Sequence, residues 1–268
     1  MTKLTPRQQA KSLLEACGGD VQKAIGELRG LSESEKKKPY SPKSDKVVVH
    51  ANQLSKTYKV GKNTVSALKN VDLDIYQGEF VAVTGTSGSG KSTLLQLLGG
   101  LDKASSGTIV VEGQELRKLS DRKLARFRNK TLGFVFQFFY LQPFLNLQTN
   151  IEVPAMFSRT PRQLRKQQSA DLANRVGLED RLRHLPKELS GGQMQRAAIA
   201  RALQNSPPIL FADEPTGNLD STNAKAIFDI FRKVCEEQGT TIVVVTHDVS
   251  LARLADRVLE MTDGELVA

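Results

Sequence analysis

From Val47 onward, short apolar runs alternate with longer stretches whose apolar positions recur every three or four residues. Val47–His50, Val65–Ile75 and Glu79–Gly85 are predicted strands, the first from its β-branched run and the second from its alternation. A helix is predicted to open at Gly90-Lys91-Ser92 and to carry Leu94, Leu95, Leu97 and Leu98. Gly107–Glu112 and Leu132–Gln137 read as further strands, and residues 149–206 as mostly helical with breaks at Pro154, Pro161 and Pro186. Ile209–Ala212 and Thr241–Val245 are almost wholly apolar. Such runs separated by helices predict a parallel sheet buried on both faces. Val258–Met261 and Leu266–Val267, joined through Asp263-Gly264, read as a hairpin.

The first 46 residues differ in texture. Residues 5–29 hold two short helical patterns around Gly18-Gly19-Asp20, with Leu13, Leu14 and Cys17 on one face and Val21, Ile25 and Leu28 on another. This predicts a small helical hairpin over 1–30, an accessory pair that docks on its own domain or a separate module. Residues 31–46 are rich in Ser, Lys and Pro and read as an exposed linker. The third unit, 47–268, holds the alternating pattern.

Composition narrows the class. With 39% hydrophobic and 25% charged residues in 268, the chain can bury a real core. Two distant cysteines exclude a disulfide scaffold, and the short apolar runs fall far below the ~18 residues of a membrane span. A reducing, cytoplasmic location is expected. The net charge of +9 is uneven: Arg117–Lys130 carries seven basic residues and one acid. That cluster fits either a surface for nucleic acid or anionic lipid or a solvated helix face whose buried side is Leu116, Leu119, Leu124 and Phe127, and the second is favoured because charge runs usually form a solvated face.

The strongest chemical signal is Gly85-Thr86-Ser87-Gly88-Ser89-Gly90-Lys91-Ser92, with Thr93 following, set between a predicted strand and a predicted helix. Glycines there turn backbone N–H groups onto phosphates, and the helix adds its positive end. Lys91 would supply a point charge and the Ser92 hydroxyl a Mg²⁺ ligand. Asp213 and Glu214 emerge where the apolar run Ile209–Ala212 ends, the end at which open α/β sheets bind ligands. Asp213 would hold Mg²⁺ and Glu214 would orient the attacking water.

Leu189-Ser190-Gly191-Gly192-Gln193, followed by Arg196 and Ala197, resembles the signature of ATP-binding cassette (ABC) ATPases. The resemblance spans about 47–268. It implies a P-loop NTPase cassette of α/β class, with a mixed sheet core, an antiparallel β part and a helical subdomain at about 138–190. It implies ATP and Mg²⁺ as cofactors, with Gln137 touching metal and water and His247 at the γ-phosphate. Tyr58 is implied on the adenine, Asp220 in the loop crossing a dimer interface, and Ser190 to Gln193 on the ATP of a second subunit. Met194 departs from the polar residue many relatives carry and is expected to alter packing only. Pro215–Ser221 and the run from Gly133 to Asn150 are similar to the ATPases of lipoprotein-release, macrolide-export and cell-division complexes. The partners implied are a second ATPase subunit, forming a homodimer, and an integral membrane permease-type protein, with no direct nucleic acid. The protein would then sit peripherally on the cytoplasmic face of the membrane. The competing readings are a soluble regulatory ATPase acting on ribosomes or nucleic acid, and a binding module using ATP as a switch. The resemblance implies a groove for the membrane partner near Gln137. Phe138 to Leu141 with Pro143 to Leu145 hold more aromatic residues there than one strand face buries, so some are expected to be exposed as the docking site.

Overall fold

Each strand forms where side chains of alternate parity find two cores to fill. The computed structural model describes residues 42–61 and 63–267, so the hairpin expected over 1–30 and most of the linker lie outside the described residues. Residues 42–46, the end of the expected linker, lie on the domain: Lys43 pairs with Asp256 at 3.0 Å and Lys46 with Glu112 at 3.1 Å.

Strands β1 (Val47–Val60), β2 (Asn63–Tyr76), β4 (Ser106–Val111) and β5 (Gln114–Glu115) make an antiparallel sheet in the order β2-β1-β4-β5. The first strand is longer than the predicted Val47–His50. Register shifts near Ala51, Leu54 and Lys56, with Gln53 at φ 45°, break the period-two pattern that would have revealed it. The second sheet holds β3 (Phe80–Thr84), β6 (Leu132–Phe136), β7 (Ile209–Asp213), β8 (Thr241–Val245), β9 (Arg257–Thr262) and β10 (Glu265–Val267). Its order is β10-β9-β3-β8-β7-β6, and all neighbours are parallel except the terminal hairpin β9-β10.

The alternation sorts residues between two cores. Phe80, Ala82, Leu210, Ala212, Ile242 and Val244 face one side. There they meet α3 (Leu147–Phe157), α4 (Arg162–Arg175), α5 (Gly191–Leu203) and α6 (Ser221–Gln238), Phe80 stacking near Phe228 and Phe231 with centroids 6.0 and 6.3 Å away. Val81, Val83, Ile209, Phe211, Val243 and Val245 face the other, against Leu94, Leu95, Leu97 and Leu98 of α1 (Lys91–Leu98) and the antiparallel sheet. The sheet is therefore apolar on both faces, as its uninterrupted runs predict.

Basic helix α2 (Asp121–Thr131) lies at the rim, with Leu119, Leu124 and Phe127 packed on the second core and its charges outward. That is the solvated-face reading of the Arg117–Lys130 cluster. Pro154 does not break its helix, contrary to the sequence expectation; α3 runs through it. Full burial of Leu147, Ile151 and Ala155 outweighs a proline cost of about 3 kcal/mol. Pro161 and Pro186 do stand at starts, of α4 and of a short 3-10 turn. The last short helix, α7 (Val249–Ala252), follows β8.

Candidate active site

Strand β3 ends at Thr84, and Gly85 begins a loop that only glycines can trace. A Cβ on Gly85, at φ 149°, would meet the Met261 carbonyl oxygen at 2.2 Å; one on Gly90, at φ 101°, would meet that of Ala67 at 2.4 Å. Gly90 is also the N-cap of α1, and no side chain caps it, so the first-turn N–H groups stay available to an anion. Thr86, Ser87 and Gly88 are exposed, while Ser89 is buried. Lys91 is 5% exposed, its Nζ donating to the Thr86 carbonyl at 2.7 Å and to Ser89 Oγ at 3.4 Å. A cation thus lies folded over the mouth of an amide-lined loop.

The neighbouring strands bring the remaining chemistry to the same edge. Because β3, β8, β7 and β6 are adjacent and parallel, their C-terminal ends present the loop, His247, Asp213 with Glu214, and Gln137 in one row. Ser92 Oγ donates to Asp213 Oδ1 at 2.8 Å. Burial pushes the Asp213 carboxyl above its usual range, Glu214 adds to this, and Ser92 and Lys91 oppose it. A half-buried, destabilised carboxylate beside a hydroxyl is a donor set that a hard divalent cation would relieve. Among the described residues no cluster of three or more His, Cys, Asp or Glu could hold a metal.

Glu214 has φ 44°, a left-handed conformation rare for a side chain of this size, held by its N–H donating to Val245 O at 3.0 Å and its carbonyl accepting from Gly217 at 3.1 Å. The kink turns the chain off the strand axis exactly where the carboxylate must leave the sheet edge. Its Oε2 lies 3.4 Å from His247 Nδ1. Gln137 leans on the loop after Glu214: a Cβ on Gly217 would sit 2.9 Å from Gln137 Nε2, and Asn218 Nδ2 donates to the Gln137 carbonyl at 3.1 Å. Among the described residues no hydrogen bond joins the Gln137 side chain to Ser92 or Asp213.

The signature segment stands apart. Ser190 is the N-cap of α5, accepting from Gln193 N–H at 3.3 Å, while Gln193 Oε1 accepts from the Ser190 N–H at 2.8 Å. Among the described residues nothing bonds Ser190, Gly191, Gly192 or Gln193 to the loop 85–92. Asp220 caps α6, accepting from Asn223 N–H at 2.9 Å, and these bonds hold its carboxyl below the usual range. A Cβ on Gly192 would sit 2.6 Å from Asn223 Oδ1, so this loop and the signature are in contact. Met194 packs on the helical core. Tyr58 lies on β1, its hydroxyl donating to Asp102 Oδ2 at 2.8 Å, and Thr93 also bonds to it.

Three residues escape sequence reasoning: Lys56 and Asp102, which contact Tyr58, and Arg201, whose guanidinium donates to the carbonyls of Tyr140 at 2.6 Å and Phe139 at 3.0 Å. Asp102 stands 44 positions from Tyr58 and 46 from Lys56, and Arg201 stands 61 and 62 from the residues it grips. Only the burial of Lys56 and the partial burial of Arg201 distinguish them, and burial is not written in local pattern.

A family profile described as ABC transporter matches residues 68–217. A lipoprotein-releasing system ATP-binding protein, LolD, of Pseudomonas fluorescens is 47% identical over 225 residues, covering 84% of this chain and 99% of LolD. An uncharacterized ABC transporter ATP-binding protein of Bacillus subtilis, YknY, is 44% identical over 82% of this chain and 95% of its own length. Among solved structures, the dimeric post-hydrolysis state of the ATP-binding cassette MJ0796, bound to ADP and Pi, superposes with a TM-score of 0.77 at 42% identity, covering 82% of this chain and 97% of that one.

Proposed function

Since the chain belongs to the ABC transporter family and is an ATP-hydrolysing subunit of that family, we propose that two copies close around two ATP molecules and drive a separate integral membrane protein. The observation that carries the chemistry is the Ser92–Asp213 hydrogen bond of 2.8 Å beside the buried Lys91, with Glu214 next in chain. Lys91 and the uncapped N–H groups of α1 would hold the β- and γ-phosphates and neutralise charge as it develops. Ser92 and Asp213 would hold Mg²⁺, which when bound supplies further charge neutralisation at the phosphate oxygens. Glu214 would orient water for in-line attack and receive its proton, while His247, 3.4 Å away, orients that carboxylate.

The exposed N-terminus of α5 supports the two-copy arrangement. A capped, dipole-bearing helix start with glycines behind it and no anion of its own chain to serve suits the phosphates of a second copy. The relatives named LolD support a mechanical or export task, and a peripheral place on the cytoplasmic membrane face. No described helix is long and apolar enough to cross a membrane.

Glu214→Gln tests the reading. ATP binding should be retained, phosphate release should fall by about 10²–10⁴-fold, and ATP should convert monomer to a stable dimer in light scattering. Hydrolysis at the wild-type rate would remove Glu214 from the mechanism.

A further inference from the structure

Lys56 is a buried cation with no partner in either hydrophobic core, and it lies on the same strand as Tyr58. Its side chain is 11% exposed, and its Nζ lies 2.8 Å from both carboxylate oxygens of Asp102. The same ammonium donates to the Lys103 carbonyl at 2.7 Å and stands 4.7 Å from the centroid of the Tyr58 ring. Asp102 closes the triangle by accepting the Tyr58 hydroxyl at 2.8 Å and the Lys103 N–H at 2.6 Å. Three side chains therefore satisfy one another at the junction of β1 with the turn that ends α1, where Leu101 and Asp102 donate back to the Gln96 carbonyl.

Burying an ammonium costs free energy unless it is paired and hydrogen-bonded, and here the pair is arranged around an aromatic ring. A cation over one ring face and a hydrogen bond at the hydroxyl fix both the tilt and the azimuth of a tyrosine. Without them a tyrosine near a strand end would sample several rotamers, and a stacking ligand would bear the cost of ordering it. Burial and the Asp102 contact raise the Tyr58 hydroxyl's pKa, so the phenol stays a donor; Asp102, despite its burial, is held below its usual range by Lys56 and Tyr58 and stays an acceptor.

We propose that Lys56 and Asp102 are positioning residues for the nucleotide base, locking the Tyr58 ring in the orientation that stacks on the adenine of a nucleotide whose phosphates lie in the Gly85–Ser92 loop. The proposal rests on the assignment of Tyr58 to the adenine. It adds that the ring's orientation is set by the turn at the far end of the same helix whose N-terminus faces the phosphates. Base and phosphate recognition are then linked through the two ends of α1.

Calorimetric titration with ADP and with inorganic triphosphate separates the claims. Tyr58→Ala should weaken ADP by about tenfold, the scale of one aromatic–base stack, and leave triphosphate unchanged. Lys56→Met and Asp102→Asn should each weaken ADP about threefold, again sparing triphosphate, and should add nothing in the Tyr58→Ala background. Tyr58→Phe, which keeps the ring and loses only the hydroxyl's bonds to Asp102 and Thr93, should give a smaller loss than Tyr58→Ala and serves if the Lys56 variant fails to fold. If Tyr58→Ala leaves ADP affinity unchanged, the adenine assignment falls. If it weakens ADP while Asp102→Asn and Tyr58→Phe do not, the assignment stands and the positioning role is overturned. Parallel loss of triphosphate binding in Asp102→Asn would mark a merely structural ion pair and overturn it equally.

Discussion

Asp213 shows how a single residue carries a cost that only its ligands recover. Its carboxyl is raised by burial and by Glu214, so the folded protein holds the proton to higher pH than the unfolded chain does. Between the ordinary carboxylate range and the raised value, the native state binds more protons, and stability falls as pH rises through that window. Asp213→Asn keeps a hydrogen-bond acceptor for Ser92 and removes the charge. In the absence of nucleotide and Mg²⁺ the variant should melt higher than wild type near neutral pH, and the difference should shrink as pH falls and the wild-type carboxyl protonates. Its Mg²⁺-dependent phosphate release should be lost over the same conditions. Thermal scans at several pH values, with activity measured alongside, check both halves; a variant less stable at neutral pH than in acid, relative to wild type, would contradict the sign.

At the scale of elements, the signature helix is tied to the segment around Gln137 by bonds from two of its residues. Arg201, in the last turn of α5, donates to the Phe139 and Tyr140 carbonyls, and Gln195 Nε2 on the same helix donates to the Phe136 carbonyl at 3.3 Å. Burial lowers the Arg201 pKa, yet a guanidinium stays charged, so its desolvation is offset by these carbonyls. Tyr140, at φ 47°, is held in a left-handed conformation beside this grip. Arg201→Gln should lose about 1–3 kcal/mol, lowering the melting temperature by several degrees, and should speed amide exchange in 138–141. Unchanged exchange there would mean that the loop holds its shape without α5. The sequence anticipated the strands β3, β7 and β8 because their residues are apolar on both faces, and the phosphate loop because its glycines are locally required. It did not anticipate the length of β1, where bulges hide the alternation, nor the helix through Pro154, where burial overrides a local breaker. It also missed Arg201, Lys56 and Asp102, because each works only through a partner distant in sequence.

For the whole molecule, the question is how a change at the sheet edge reaches a partner. The run Phe138–Leu145 was expected to be the docking surface, and its side chains separate into two kinds. Phe138, Tyr140 and Phe144 are 62%, 63% and 75% exposed, whereas Leu141 packs against the helical core and Phe139 is partly buried, its ring edge 3.9 Å from where a Cβ on Gly191 would stand. Phe139 is thus a spacer between the loop and the signature rather than a free contact. Asn150, fully buried, pins the loop from beneath by donating to the carbonyls of Gln142, Leu145 and Asn146 and accepting from Gln142 N–H at 2.7 Å. Phe138 and Tyr140, with ring centroids 6.3 Å apart, and Phe144 thus stand exposed on a loop anchored from beneath, and aromatic anchors carry much of the binding energy of an interface. Because this loop joins Gln137 on one side and the Arg201 grip on the other, a partner seated on it would feel both the nucleotide site and the signature helix. Tyr140→Ala and Phe144→Ala should leave the melting temperature within about 1 °C and the isolated subunit's ATPase near wild type, since neither side chain fills a core. In reconstituted complexes both should lose most of the change in ATPase rate that the membrane partner imposes, while Phe139→Ala should in addition slow hydrolysis in the isolated subunit. Full coupling in both exposed-residue variants would move the docking surface elsewhere on the molecule.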